Sequence, residues 1–138
     1  MRGIALLLLG ATLASCATGP EPGQRTPQKA QELATLLAGK TAAPPTSCLQ
    51  SYNSYDQRII DGRTVAYRLG SRTTYVMHLS EGCGLLGTGN FAIFTRQFGG
   101  MGMCQGDILR VVDTFNRTTV GSCAIESITP YSATASRY

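Results

Sequence analysis

Between Gln57 and Ile125 the chain alternates apolar and polar residues again and again, and this two-residue period constrains the fold more than any other feature. Residues 63–69 put Val65, Tyr67 and Leu69 on one face, and residues 73–79 do the same with Tyr75, Met77 and Leu79. Gly70-Ser71-Arg72 between them suits a hairpin turn, and Asp61-Gly62, from the strongest class of hairpin dipeptides, separates 57–60 from Arg63. Segments 91–96, 108–112 and 120–125 complete about six strands. Short strands punctuated by turns predict a mainly β fold, a small antiparallel barrel or sandwich.

The β-rich segment, 46–138, is short for a self-sufficient core, and its cysteines answer that need. The sequence holds five; setting Cys16 aside leaves Cys48, Cys83, Cys104 and Cys123, an even set fit for two disulfides in an oxidising compartment. Each would stabilise by roughly 3 to 4.5 kcal/mol in the chain-entropy model. Metal binding is the competing use, but there is no C-x-x-C pair, and His78, the one histidine, stands five residues from the nearest cysteine. Cys123 shares the Ile125 face, as a buried half-cystine should. Four cysteines allow three pairings. Closeness of domain ends favours Cys48 with Cys123, leaving Cys83 with Cys104. A strict meander would hold that second pair at opposite ends of the sheet, so it requires the Gly-rich loop before Cys104 to fold back.

Cys16 is set aside for its own reason. Met1-Arg2-Gly3 and the apolar run 4–13 read as an export signal, too short for the roughly twenty apolar residues of a spanning helix. Leu13-Ala14-Ser15-Cys16 then resembles the lipobox of bacterial lipoproteins, with two small residues before the cysteine that receives lipid. The resemblance implies removal of residues 1–15, acylation of Cys16 by diacylglyceryl and palmitate-type chains, and a stable membrane anchor, since each buried methylene contributes about 0.8 kcal/mol. The bland alternative, cleavage and free secretion, leaves one cysteine without a partner. Ala17 replaces the aspartate associated with inner-membrane retention, which implies an outer-membrane anchor with the domain facing the periplasm.

Residues 16–26, rich in Pro, Gly and small polar residues, read as a flexible tether. Thr26 as N-cap, Pro27 at the first position and Gly39 as a left-handed cap predict a short helix with the stripe Ala30, Leu33, Leu36 and Leu37. Such a helix either meets a membrane or partner, or lies on its own domain; the second is the expectation. Ala42-Ala43-Pro44-Pro45 ends the helix-and-linker region, 27–45.

Several residue sets invite chemistry. Gly82-Cys83-Gly84-Leu85-Leu86-Gly87 matches G-x-G-x-x-G, but Thr88-Gly89-Asn90 leads into a strand, not the helix whose N–H groups would hold a pyrophosphate, so a disulfide-bearing turn is expected. His78 lies opposite the Tyr75, Met77 and Leu79 face, toward solvent, and no G-x-S-x-G elbow presents a nucleophile to it. Asp56, Asp61, Glu81, Asp107, Asp113 and Glu126 are scattered, mostly at turns, with Asp107 expected to cap a loop entering a strand. The net charge is +4, but Lys29 and Lys40 lie upstream of the β segment and its arginines are interspersed with acids, so no nucleic-acid footprint emerges. Those arginines suit anionic lipid headgroups or lipopolysaccharide, and a plain solvated face explains them equally well. Asn116-Arg117-Thr118 is a glycosylation sequon of little meaning in a bacterial envelope. No cofactor or metal signature is expected.

Taken together, Cys48-Leu49, Ile60-Asp61-Gly62-Arg63-Thr64-Val65, Tyr75-Val76 with Leu79, and Cys83-Gly84-Leu85 form a recognisable series. It continues through Cys104-Gln105-Gly106-Asp107, Gly121-Ser122-Cys123 and Pro130-Tyr131. The series resembles a family of short, uncharacterised proteobacterial exported proteins of unknown function, which implies export, cysteine pairing and a small β-rich body without a known activity.

The expected function is therefore that of a non-enzymatic envelope lipoprotein, membrane-bound through its anchor and meeting an envelope protein partner. The alternatives are a small-ligand module, an inhibitor of lysozyme-type hydrolases, whose signature is not found, and, less favoured, a hydrolase using His78.

Overall fold

The computed structural model describes residues 24–50, 55–96 and 102–134. Cys16, the signal segment and the tether up to residue 23 lie outside the described residues.

Thr26 opens α1, Pro27–Leu37, with its hydroxyl accepting the Lys29 N–H at 3.3 Å, and Pro27 occupies the first turn, where its missing N–H costs nothing. Gly39 follows with φ +68°, the left-handed residue that its position predicts. The inward stripe differs in one member. Ala30 is exposed, and Lys29 and Glu32, ion-paired at 2.8 Å, join Leu33, Leu36 and Leu37 as the half-buried residues.

The strands are β1 (Lys40–Ala42), β2 (Cys48–Leu49), β3 (Asp56–Asp61), β4 (Thr64–Leu69), β5 (Thr73–Leu79), β6 (Phe91–Thr95), β7 (Met103–Cys104), β8 (Ile108–Asp113) and β9 (Thr118–Ala133). The six expected strands are β3, β4, β5, β6, β8 and the first half of β9. They pair antiparallel in the order β3-β4-β5-β9-β8-β6, curled into a half-barrel. The last strand therefore sits mid-sheet, with Thr118–Ala124 against β8 and Ile125–Ser132 against β5.

Register delivers the alternation to the inside. Val65 faces Met77, Met77 faces Ile128, Leu79 faces Ile125 and Leu109 faces Cys123. Leu49 and Met103, from the separate β2–β7 ribbon, and Leu86 complete this core. All of these residues are 4% exposed or less, and burying a Leu, Ile, Val or Met side chain stabilises by about 1.5–3 kcal/mol.

The disulfides are Cys48–Cys104 and Cys83–Cys123, so the pairing expected from domain ends, Cys48–Cys123 with Cys83–Cys104, is corrected. Topology is the reason. Cys48 and Cys104 stand opposite each other in the β2–β7 ladder. Past β5 the chain stays beside β9, with Ser80 N–H donating to Ala124 O at 2.9 Å, which carries Cys83 to Cys123. Gly82, at φ +108°, permits the approach: a Cβ there would collide with the Ser122 carbonyl, and one on Gly121 would come within 2.5 Å of Gly82 O.

The region 27–45 is bonded to the sheet. Strand β1 pairs with β9, and Ala43 and Thr46 N–H, flanking two prolines that have none, donate to Pro130 O and Ile128 O at 2.8 Å. The tether's last residues are engaged too. Arg25 Nε meets Asp61 Oδ2 at 2.7 Å and its Nη2 donates to Thr64 Oγ1 at 2.9 Å.

Candidate functional site: a bare half of the outer sheet face

The outer face of the half-barrel is divided. On the β3–β5 side α1 lies against it: the helix contacts β3, Thr74 Oγ1 of β5 donates to Leu36 O at 3.4 Å, and the outward residues Ala66, Thr74 and Val76 are at most 2% exposed. The helix thus lies on its own domain, as expected. Across β9 no described element covers the corresponding positions of β8 and β6. Phe94 and Ile108 are 60% and 58% exposed, large apolar side chains where the covered half buries an alanine and a valine.

Local register builds the cleft. Strand β8 alternates, with Leu109 and Val111 turned to the core and Ile108 and Arg110 turned out. Pairing places Phe94 of β6 opposite Arg110 and Ala92 opposite Val112. Phe94, Arg96, Ile108, Arg110, Val112 and Thr119 line a one-sided cleft of about 660 Å³. Asp107 stands at its margin with its carboxylate engaged, Oδ2 accepting the Cys104 N–H at 2.7 Å, which is the loop-capping role its position predicts.

Charge is distributed unevenly over the arginines. Arg58 and Arg68 meet Asp56, Arg63 meets Glu81 and Glu126, and Arg25 meets Asp61. Among the described residues, Arg72, Arg96, Arg110 and Arg117 have no carboxylate partner, and two of these four, Arg96 and Arg110, line the cleft. The cleft is therefore both apolar and cationic. The β8–β9 hairpin that forms one wall ends in Phe115, 83% exposed. Its tip is fixed by Asp113, whose Oδ1 accepts the N–H groups of Phe115 and Asn116 and whose Oδ2 accepts the Asn116 amide. These donors, backbone first, hold the Asp113 carboxyl below the ordinary carboxylate value. The sequon residue Asn116 is thus a structural part of this turn.

The other candidates fall elsewhere. His78 is exposed on β5, across the ladder from Thr64 and Ser127, and the Thr64 hydroxyl already accepts from Arg25. Residues 82–87 form turns around the half-cystine Cys83 and lead into β6 with no helix. Among the described residues no group of three or more His, Cys, Asp or Glu could hold a metal ion, and no helix is long and apolar enough to cross a membrane.

Sequence reasoning missed the cleft, although a signal was present. Phe91-Ala92-Ile93-Phe94 is apolar at both parities, so the outward face of that strand could not be an ordinary solvated one. The Arg25–Asp61 contact, spanning 36 residues, has no local signature.

A family model described as "Family of unknown function (DUF6491)" matches residues 1–137. Comparison with curated proteins and with solved structures finds no match.

Proposed function

Because the chain belongs to DUF6491, a family that brings no activity with it, we propose from its own residues that it is a non-enzymatic envelope lipoprotein whose folded body is an interaction domain. The observation that carries this reading is the half of the outer face that no described element covers, where Phe94 and Ile108, two of the most exposed large apolar side chains, lie beside Arg96 and Arg110 in one cleft. Apolar side chains concentrated in one place on a small domain mark a contact surface more often than a solvated one. The lipobox-like 13–16 segment supports anchoring at Cys16, and two disulfides suit an oxidising compartment outside the cytoplasm.

The test is photo-crosslinking in intact cells from a reactive residue at position 94, with position 69 as control, together with fatty-acid labelling of the full chain and of Cys16→Ala. The expected result is a specific envelope adduct, protein or lipid, from position 94 alone and labelling that Cys16→Ala abolishes. An absence of product at 94, with substrate turnover by the purified protein, would overturn the interaction reading.

One observation favours a second reading, capture of a small ligand: about 660 Å³ lies within the usual range for ligand clefts. Inhibition assays against lysozymes address the inhibitor version, which uninhibited activity across their classes removes.

A further inference from the structure

From the composition and placement of the cleft we infer that its occupant is the anionic surface of a phospholipid bilayer, onto which the domain docks through Phe94, Ile108, Arg96 and Arg110. This deepens the lipid-anchor reading and rests on it. Two observations select the bilayer.

The first is charge complementarity. The two arginines flank two exposed apolar side chains, and no carboxylate among the described residues pairs with either arginine. Asp107, the acid of the lining, has an oxygen committed to the Cys104 N–H. Apolar side chains that enter the headgroup boundary beside guanidinium groups that meet phosphates are the two halves of interfacial binding. A protein partner would have to supply a dense acidic patch to achieve the same balance.

The second is reach. Arg25 is held at Asp61 and Thr64, and Cys16 precedes it by nine residues, a span of at most about 30 Å. Thr64 pairs with His78, and His78 with Ser127, while Ile108 pairs with Ala124 on the far side of β9. Three strand spacings and a short offset along β9 therefore put Ile108 roughly 15–20 Å from the point where the tether joins the body. A chain anchored at Cys16 can lie with this face on the bilayer without unfolding anything.

The chain has no tryptophan, so Phe94→Trp places a single fluorophore in the cleft, Ile108→Trp a second independent one, and Leu69→Trp a control at the opposite end of β4 from Thr64. Each lipidated full chain is reconstituted into vesicles of phosphatidylcholine alone or mixed with phosphatidylglycerol, with brominated acyl chains as quencher. Flotation reports the anchor and tryptophan emission reports docking. The expected result is blue-shifted, quenched emission for the two cleft reporters on anionic vesicles only, weakened by salt, with the Leu69→Trp control unchanged. Arg110→Glu in the Phe94→Trp chain lowers the docked-to-undocked ratio by at least about fivefold, the worth of one cation at an anionic surface.

Flotation with both cleft reporters unquenched overturns the docking and leaves the anchor standing. Failure to float on neutral vesicles overturns the anchor reading, and emission on anionic vesicles still decides the docking. Equal quenching on neutral vesicles, or equal quenching of the Leu69→Trp control, also overturns it, as does a protein-only crosslink from position 94.

Discussion

Arg25→Ala tests whether the start of the folded body is where the structure puts it. Asp61 is a buried acid, its side chain 5% exposed, and its oxygens are divided between the Arg63 N–H at 2.8 Å and the Arg25 guanidinium at 2.7 Å. Removing one partner of a fully buried pair costs about 3–5 kcal/mol, because the remaining charge is left without compensation. Arg25 is itself 36% exposed, so water replaces part of its contribution, and we expect a loss of about 2 kcal/mol. Asp61→Asn keeps an acceptor for the Arg63 N–H and should cost about 1 kcal/mol. The double variant should then reveal a coupling of about 1 kcal/mol or more. The control is Lys29→Ala, which breaks an ion pair between side chains 35% and 33% exposed and should stay within about 0.5 kcal/mol of the parent. The assay is urea unfolding of the disulfide-intact chain, with the slope unchanged across the set. An Arg25→Ala loss no larger than that of Lys29→Ala, or a coupling of zero, would refute the clamp and with it the placement of the tether's end.

Further predictions concern the staples and the hairpin tip. Peptide mapping of the non-reduced chain should recover Cys48 linked to Cys104 and Cys83 linked to Cys123; a Cys48–Cys123 peptide would contradict the strand order. Replacing Cys83 and Cys123 together by alanine should lower unfolding free energy by about 4 kcal/mol, the chain-entropy value for cysteines 40 residues apart, read by calorimetry or denaturant. Gly82→Ala, which forces a Cβ into the Ser122 carbonyl at φ +108°, should cost at least about 2 kcal/mol, whereas Gly106→Ala, at φ +90° with open space around it, should cost less. Asp113 has a lowered pKa in the folded state, so its contribution is present above the ordinary value of 3.8 and is lost as pH falls through the folded value below it. Amide exchange at Phe115 and Asn116 should therefore accelerate in strong acid, and Asp113→Asn should remove that pH dependence.

Much of the β architecture was legible because alternation and turn chemistry are local. Val65, Tyr67, Tyr75, Met77 and Leu79 declare their shared face within a few residues, and Asp61-Gly62 and Gly70-Ser71-Arg72 mark the two hairpins that join β3, β4 and β5. The helix was legible from Thr26, Pro27 and Gly39 for the same reason, although Ala30 was assigned to the wrong side. The short strands β1, β2 and β7 were missed. Two or three residues carry too little periodicity to be seen, and each of these strands exists because a partner ladder, β9 for β1 and β2 with β7, satisfies its backbone groups.

Family membership and local structure are thus properties of the sequence by itself: it matches its family along residues 1–137, and it sets the strand period, the turns and the helix caps through interactions between near neighbours. The tertiary structure decided what depends on the order in which strands are laid down. Because β9 enters between β5 and β8, Cys83 meets Cys123, Cys48 is left to Cys104, and the outer face is split into a half that α1 covers and a half that exposes Phe94 and Ile108. Nothing in the local sequence of β6 and β8 encodes which half of the sheet α1 covers. That follows from α1 being short and pinned by Arg25 and Thr74 to the other side, and contacts that distant in sequence are settled only when the whole sheet closes.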